Sequence, residues 1–219
     1  MRLLIVEDEE RLARNLAAMF ESSGYAVDLA FDGERAERLL CDERYDAAIL
    51  DLGLPKIDGV TVLRRCRSAS NAVPILVLSA RGSWHEKVEA IDSGADDFVV
   101  KPFQIEEVMA RVRALIRRAA GQLQSELRHG ALTLDPRTAK VTLGGAPMRL
   151  TSHEYRVLAY LMHHRDRVVS QIELTEHIYA QDFERDSNTV EVFIGRLRRK
   201  LGATSIETVR GLGYRMGAP

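Results

Sequence analysis

Five side chains in the first half of the sequence make a set suited to phosphoryl chemistry: Glu7, Asp8, Asp51, Ser79 and Lys101. Each follows a short apolar run. Leu3 to Val6 precedes Glu7 and Asp8, Ala47 to Leu50 precedes Asp51, Pro74 to Leu78 precedes Ser79, and Phe98 to Val100 precedes Lys101. Carboxylates gathered in one crevice repel one another unless a cation joins them, and a hard divalent ion with oxygen ligands, Mg²⁺ foremost, suits them. Glu7 or Asp8 with Asp51 would supply carboxylate oxygens, and Gly53, two residues after Asp51, a backbone carbonyl. Asp51 is then an in-line nucleophile toward a phosphoryl group. Lys101 neutralises charge on the transferred group, and Ser79 hydrogen-bonds one of its oxygens. A single acid at a strand end is ordinarily a solvated cap, and a single lysine a surface charge; the five together, in this order, point to a site.

The elements that must position them alternate. The apolar runs above, with Ala26 to Ala30, read as five strands. Between them lie amphipathic helices: one with Leu12, Leu16, Met19 and Phe20 on a face, then Gly33 to Leu40, Val60 to Arg67, Trp84 to Asp92, and Ile105 to Arg118. Near-continuous apolar strands separated by such helices predict an α/β doubly wound five-stranded parallel sheet covered on both faces, of flavodoxin-like order 2-1-3-4-5. Ligands of such sheets bind outside the carboxyl ends of the strands, where the five residues stand.

The pattern changes after residue 118. Residues 119–125 are small, contain Gly and Gln, and lack an apolar period, so they read as a linker between a first domain (1–118) and a second (126–219). In the second, strands around Leu132 to Leu134 and Lys140 to Leu143 precede helices starting near Ser152, Gln171 and Ser187. A ribbon, Ser205 to Val209 and Tyr214 to Met216, ends the chain. Helices followed by a β-hairpin describe an α+β winged-helix domain. The last helix buries Val190, Ile194, Leu197 and Leu201 at i, i+4, i+7, i+11 and turns Asn188, Val192, Gly195, Arg196 and Arg199 outward, a polar basic face suited to the major groove; Arg198 and Lys200 flank it as phosphate contacts.

Composition agrees with two soluble domains. The chain has 219 residues, 46% hydrophobic and 29% charged, and no apolar run approaches the ~20 residues that span a bilayer. Met1 to Asp8 turns acidic after one short run, unlike a signal peptide, so a cytoplasmic protein is expected. Cys41 and Cys66 have no metal-like spacing and read as reduced packing residues, and His153, His163, His164 and His177 as surface or satisfied helix residues. Net charge is −1, divided as −4 over residues 1–121 and +3 over 122–219, so only the second half is expected to meet a polyanion.

The motifs Glu7-Asp8, Asp51 to Gly59, Ser79-Ala80-Arg81 and Gly94 to Phe103 resemble those of receiver domains, and Leu150 to Leu158 and Glu207 to Arg215 resemble the first helix and the wing of OmpR/PhoB-type response regulators. Ser83 to Val88 and Ile105 to Arg111 resemble the PhoP-like subgroup. The resemblance covers nearly the whole chain. It implies a transcription regulator whose Asp51 is phosphorylated by a sensor histidine kinase in the presence of Mg²⁺, with Ser79 and Phe98 as switch residues. Ser79 stands where Thr is commoner and Phe98 where Tyr is commoner; drawing Ser79 toward the phosphoryl group would let Phe98 turn inward. It also implies a phosphorylation-driven homodimer through a face carrying Lys87, Val88, Ile91, Asp96, Asp97, Glu107, Met109, Arg111 and Arg118, pairing Lys87 with Glu107, Asp97 with Arg111, and Asp96 with Arg118 across a two-fold axis. It places Arg210 in the minor groove, Thr208 on a phosphate, and the loop Ala180 to Asp186 on RNA polymerase. Promoter sites would be direct-repeat half-sites ~10–11 base pairs apart.

Two other readings remain open at this point. An aspartyl-phosphate hydrolase or transferase needs a positioned acid or base for turnover, often a second Asp two residues past the nucleophile, where this chain has Gly53; a persistent phosphoryl group with only slow self-dephosphorylation suits a switch rather than an enzyme. Constitutive DNA binding with a vestigial receiver is the third, and the full acidic set argues against it.

Overall fold

The structure, a computed structural model, describes residues 1–80, 82–122, 124–179 and 189–218. Five strands, β1 (Arg2–Val6), β2 (Ala26–Ala30), β3 (Ala47–Asp51), β4 (Ile75–Ser79) and β5 (Asp97–Val100), form one parallel sheet of order β2-β1-β3-β4-β5. Every residue of β1, β3 and β4 is buried, as a sheet covered on both faces requires. Five helices cover it: α1 (Glu10–Ser22), α2 (Gly33–Asp42), α3 (Gly59–Ser68), α4 (Trp84–Asp92) and α5 (Ile105–Ala119). One face packs Leu3, Ile5, Ile49, Leu76 and Leu78 against α1 and α5, and the other packs Leu4, Val6, Leu50, Ile75 and Val77 against α2 and α3. The doubly wound sheet and its order match the expectation.

The second half opens with a four-stranded antiparallel sheet, β6 (Leu127–His129), β7 (Leu132–Asp135), β8 (Lys140–Leu143) and β9 (Ala146–Met148). Only β7 and β8 are evident in the sequence. β6 and β9 are three residues long, and β9, an edge strand, carries Pro147, which lacks a ladder donor. Helices α6 (Ser152–His163), α7 (Gln171–Ile178) and α8 (Thr189–Leu201) follow, then the ribbon β10 (Ile206–Val209) and β11 (Gly213–Met216). Thr151 and Glu154 form a reciprocal capping box at the start of α6. Glu154 is buried and also accepts a 2.7 Å bond from Lys200 Nζ, which ties α6 to α8. Among the described residues no helix is long and apolar enough to cross a membrane.

Candidate phosphoacceptor and nucleic-acid sites

The carboxyl ends of β1, β3, β4 and β5 converge on one crevice. Carboxylate oxygens of Glu7, Asp8 and Asp51 lie within 4.8 Å of one another. Lys101 Nζ donates to both Glu7 carboxylate oxygens, at 2.8 and 2.6 Å, and stands 3.2 Å from Asp51 Oδ2. The Lys101 peptide N–H donates to the Ser79 carbonyl, which fixes the two strand ends together. Burial raises the Glu7 carboxyl above its ordinary value and Asp51 adds to this, with the Lys101 bond opposing both. Burial alone would lower the Lys101 ammonium, but the Glu7 bond and the Asp51 charge outweigh it and raise it. Lys101 is therefore a fixed cation between two carboxylates.

Two glycines let the chain close around Asp51. A Cβ on Gly59, the first residue of α3, would lie 2.2 Å from the Asp51 carbonyl oxygen, and one on Gly33, the first of α2, 1.9 Å from that of Ile57. The helix starts are themselves capped: Asp32 accepts from the Arg35 N–H and Asp58 from the Thr61 N–H. Gly59→Ala is accordingly expected to lower stability by about 3 kcal/mol through overpacking and to slow modification of Asp51. Denaturant titration checks the first, and an unchanged midpoint would show that the backbone there yields freely.

The donor set fits a hard divalent cation. Three carboxylates lie within one coordination sphere, two from β1's end and one from β3's, and Asp8 is exposed to exchange with solvent. Gly53 is exposed two residues past Asp51, and a side chain there would approach Asp51 Oδ2 to 3.6 Å. Glu7 is held through both oxygens by Lys101, which leaves Asp8, Asp51 and the Gly53 carbonyl as the donors most open to a cation. Ser79 is buried at the end of β4.

The expected inward turn of Phe98 needs correction. Its ring is already buried, 6% exposed, in the cluster that holds Leu50, Val77 and Ala90. A phenyl ring lacks the hydroxyl that would draw a tyrosine toward water, so burial is its resting state. On the expected dimer face Lys87, Val88, Ile91, Asp96, Glu107 and Arg118 are exposed, whereas Met109 is 7% exposed within the core and is no surface residue. Met109 directly follows Val108 on α5, and both positions of this pair face the sheet. Arg111 bonds Asp97 at 3.0 Å and Glu107 at 2.8 Å in its own chain, and Asp96 bonds Arg67 at 2.8 Å.

In the second domain α8 buries Val190, Ile194 and Leu197 as expected, and Phe193 as well. Val192, Gly195, Arg196 and Arg199 are exposed, and a Cβ on Gly195 would meet nothing within 4 Å. Asn188 and the loop Ala180 to Asp186 lie outside the described residues. Arg198 and Lys200 are not the free phosphate clamps expected. Arg198 donates to the Ile206 carbonyl at 2.8 Å and to Thr208 Oγ1 at 2.7 Å, pinning the ribbon to α8, while Lys200 is held by Glu154. An i, i+8 reach from helix to ribbon is invisible to helical periodicity. Arg210, in the turn between β10 and β11, is exposed.

His177 is a satisfied helix residue, as expected, though its partner lies in the other domain. His177 is buried, and its Nδ1 lies 3.0 Å from Asp46 Oδ2 of the other domain. No motif marks this contact, because its partners are 131 residues apart.

Comparison with known proteins is consistent with this geometry. The family model described as "Response regulator receiver domain" matches residues 3–113, and "Transcriptional regulatory protein, C terminal" matches residues 145–216. The two-component response regulator PhoP of Pseudomonas aeruginosa is 46% identical over 98% of this chain and 97% of its own length. The virulence transcriptional regulatory protein PhoP of Salmonella typhi is 41% identical over 98% and 97%, and the transcriptional regulatory protein QseB of Escherichia coli O157:H7 is 42% identical over 99% and 99%. Among solved structures, the Francisella response regulator 1452 receiver domain superposes with a TM-score of 0.53 at 34% identity, covering 54% of this chain and 98% of that one. Both domain models, and relatives alike across the full length, show that the chain belongs to the OmpR/PhoB family of two-component response regulators, as a PhoP-like transcription regulator with a receiver domain and a winged-helix DNA-binding domain.

Proposed function

We propose that Asp51 accepts a phosphoryl group from a sensor histidine kinase in a Mg²⁺-dependent reaction, and that this drives receiver dimerisation and sequence-specific binding to promoter DNA. The observation that carries the reading is the Glu7, Asp8, Asp51 cluster with Lys101 Nζ between Glu7 and Asp51. An Asp51 carboxylate oxygen forms a bond to phosphorus as the bond from phosphorus to the donor's leaving atom breaks, and the leaving group departs with that electron pair. Bound Mg²⁺ would offset charge on the phosphoryl oxygens. Asp8, Asp51 and the Gly53 carbonyl would hold it. Lys101 would stabilise the same charge, and Ser79 would donate its hydroxyl to a phosphoryl oxygen. With Gly53 where a hydrolase would place a second acid, the acyl phosphate persists as a signal and is lost only by slow self-dephosphorylation. Incubation with acetyl phosphate is expected to add one phosphoryl group per chain when Mg²⁺ is present and none after chelation, read by intact mass; equal labelling in both would exclude the metal.

Phosphorylation is read out at the face of α4, β5 and α5. Charges of both signs there suit an isologous contact. In a dimer Arg111 would exchange its own-chain partners Asp97 and Glu107 for the partner's Asp97, and Lys87 would pair with the partner's Glu107, with Val88 and Ile91 between them. Arg111→Glu is expected to weaken the phosphorylated dimer about tenfold, because the two-fold axis repeats lost pairs that contribute roughly 0.5–1 kcal/mol each. Sedimentation of the phosphorylated variant checks this, and a dimer constant equal to that of the unsubstituted chain would remove α5 from the interface. The DNA-binding domains then take two direct half-sites in the cytoplasm, with α8 in the major groove, Arg210 in the minor groove, Thr208 near a phosphate, and the loop before α8 toward RNA polymerase.

A further inference from the structure

A cavity of 340 Å³ lies between the two domains, at the end of the sheet away from Asp51. Tyr25, which enters β2, lines it, whereas Asp51 ends β3 of the same parallel sheet. Its other walls are the second half of α5, Gln122 with residues 124–127, the turn after β7 and the end of α6. A cavity of this size takes a small molecule. The α5 wall supplies Arg113 and Arg117, four residues apart and so on one face. Both are half-buried, and among the described residues neither has an ion-pair partner. Like charges at this spacing repel each other. The two carboxylates that line the cavity are committed elsewhere. Asp135 accepts the Arg137 peptide N–H and the Thr138 hydroxyl, each at 2.9 Å, with the Arg137 guanidinium 3.7 Å away, and Glu126 pairs with Arg128 at 2.8 Å.

The opposite wall carries polar atoms that have nothing to bond. Gln122 Nε2 donates to the His163 carbonyl at 2.9 Å, which fixes the amide and leaves Oε1 buried with no partner among the described residues. His163 Nδ1 is buried and unpartnered in the same way. Burial holds the His163 imidazole at about 4, so the ring is neutral at pH 7 and adds no charge of its own. Buried polar atoms almost always find a partner, so two orphans on one cavity call for one. Together the walls complement a molecule with an oxyanion at one end and hydroxyl groups at the other. A carboxylate offers its two oxygens in one plane and suits a single guanidinium fork. A tetrahedral phosphoryl dianion offers three oxygens and can accept from two forks on one side, which is what Arg113 and Arg117 present.

We propose that this cavity is a binding site for the phosphate monoester of a small polyol, with its phosphoryl oxygens on Arg113 and Arg117 and its hydroxyl groups toward Gln122 Oε1 and His163 Nδ1. The site is separate from the Asp51 crevice, needs no divalent cation, and binds without any covalent step. Arg113 and Arg117 belong to the receiver and His163 to the DNA-binding domain, so the bound molecule touches both.

The test is calorimetric titration of the full, unphosphorylated chain with glycerol 3-phosphate, inorganic phosphate, malate and glycerol. A chelator removes divalent cations, so that no phosphate is drawn to the Asp51 crevice through a metal. Glycerol 3-phosphate is expected to bind once per chain and more tightly than inorganic phosphate or malate, and glycerol not at all. Arg113→Gln and Arg117→Gln are each expected to weaken glycerol 3-phosphate about tenfold, as for loss of a charged hydrogen bond. Neither should lower the unfolding temperature, because neither arginine has an ion pair to lose. Arg14→Gln, exposed on α1 and outside the cavity, removes the same charge and is expected to bind as the unsubstituted chain does. No saturable binding of glycerol 3-phosphate would overturn the site, and so would full affinity in both arginine variants. Malate binding the more tightly would overturn the choice of a phosphoryl group. Inorganic phosphate binding as tightly as its ester would overturn the part given to Gln122 and His163.

Discussion

Asp51→Asn is expected to abolish phosphorylation by acetyl phosphate or by a kinase, leaving the intact mass of the chain unchanged. The amide oxygen is a poor nucleophile, and the substitution also removes one of the three carboxylates that would hold the cation. No neighbour takes over. Glu7 has both oxygens on Lys101, and Asp8 is exposed at the edge of the crevice. Lys101→Ala complements it: the nucleophile remains, but the fixed cation is lost and transfer is expected to slow by about 10²–10³-fold, as for removal of one preorganised stabilising group. Full modification of Asp51→Asn would move the phosphoacceptor to another residue, and an unaltered rate in Lys101→Ala would make that ammonium a structural tie to Glu7 alone.

The second large effect concerns DNA. Arg196 is exposed on the outer face of α8 beside Val192, with Gly195 leaving room for a base edge to approach. Arg196→Ala is expected to cost roughly 1–3 kcal/mol on the selected site and much less on mismatched DNA, the mark of a base contact. Arg198→Ala is expected to behave differently from a phosphate contact. Its guanidinium is committed to the Ile206 carbonyl and Thr208, so its loss frees the ribbon from α8 and weakens binding through a disordered wing, with a lowered unfolding temperature. Salt titrations on matched and mismatched duplexes separate the two. Uniform loss on every sequence for Arg196→Ala would make it a phosphate clamp. A salt slope lowered by about one for Arg198→Ala, with unchanged stability, would restore its reading as a backbone contact.

The acidic crevice was legible because its residues sit at strand ends, and strand ends are marked by where apolar runs stop. Ala47 to Leu50 and Pro74 to Leu78 place Asp51 and Ser79 without reference to any distant residue, and the structure puts them in adjacent strands. Features carried by local periodicity were equally readable, such as the buried stripe of α8. What failed depended on tertiary partners. Met109 lies between exposed Glu107 and Ala110 on α5, and only its packing in the core marks it as buried. Arg198 and Lys200 have the look of solvated cations until Thr208 and Glu154 are placed beside them. His177 is the satisfied helix residue it reads as, but the identity of its partner, Asp46, is out of reach until two domains meet. Strands β6 and β9 escaped notice because three-residue strands carry too few alternations to register.

The most direct measurement of the whole account is a titration of a duplex bearing two selected direct half-sites, followed by fluorescence anisotropy, with protein before and after phosphorylation and with Asp51→Asn in parallel. Phosphorylation is predicted to tighten binding at least about tenfold, with no change for Asp51→Asn treated identically. The same affinity for the unsubstituted chain in both states would contradict control of DNA binding by Asp51.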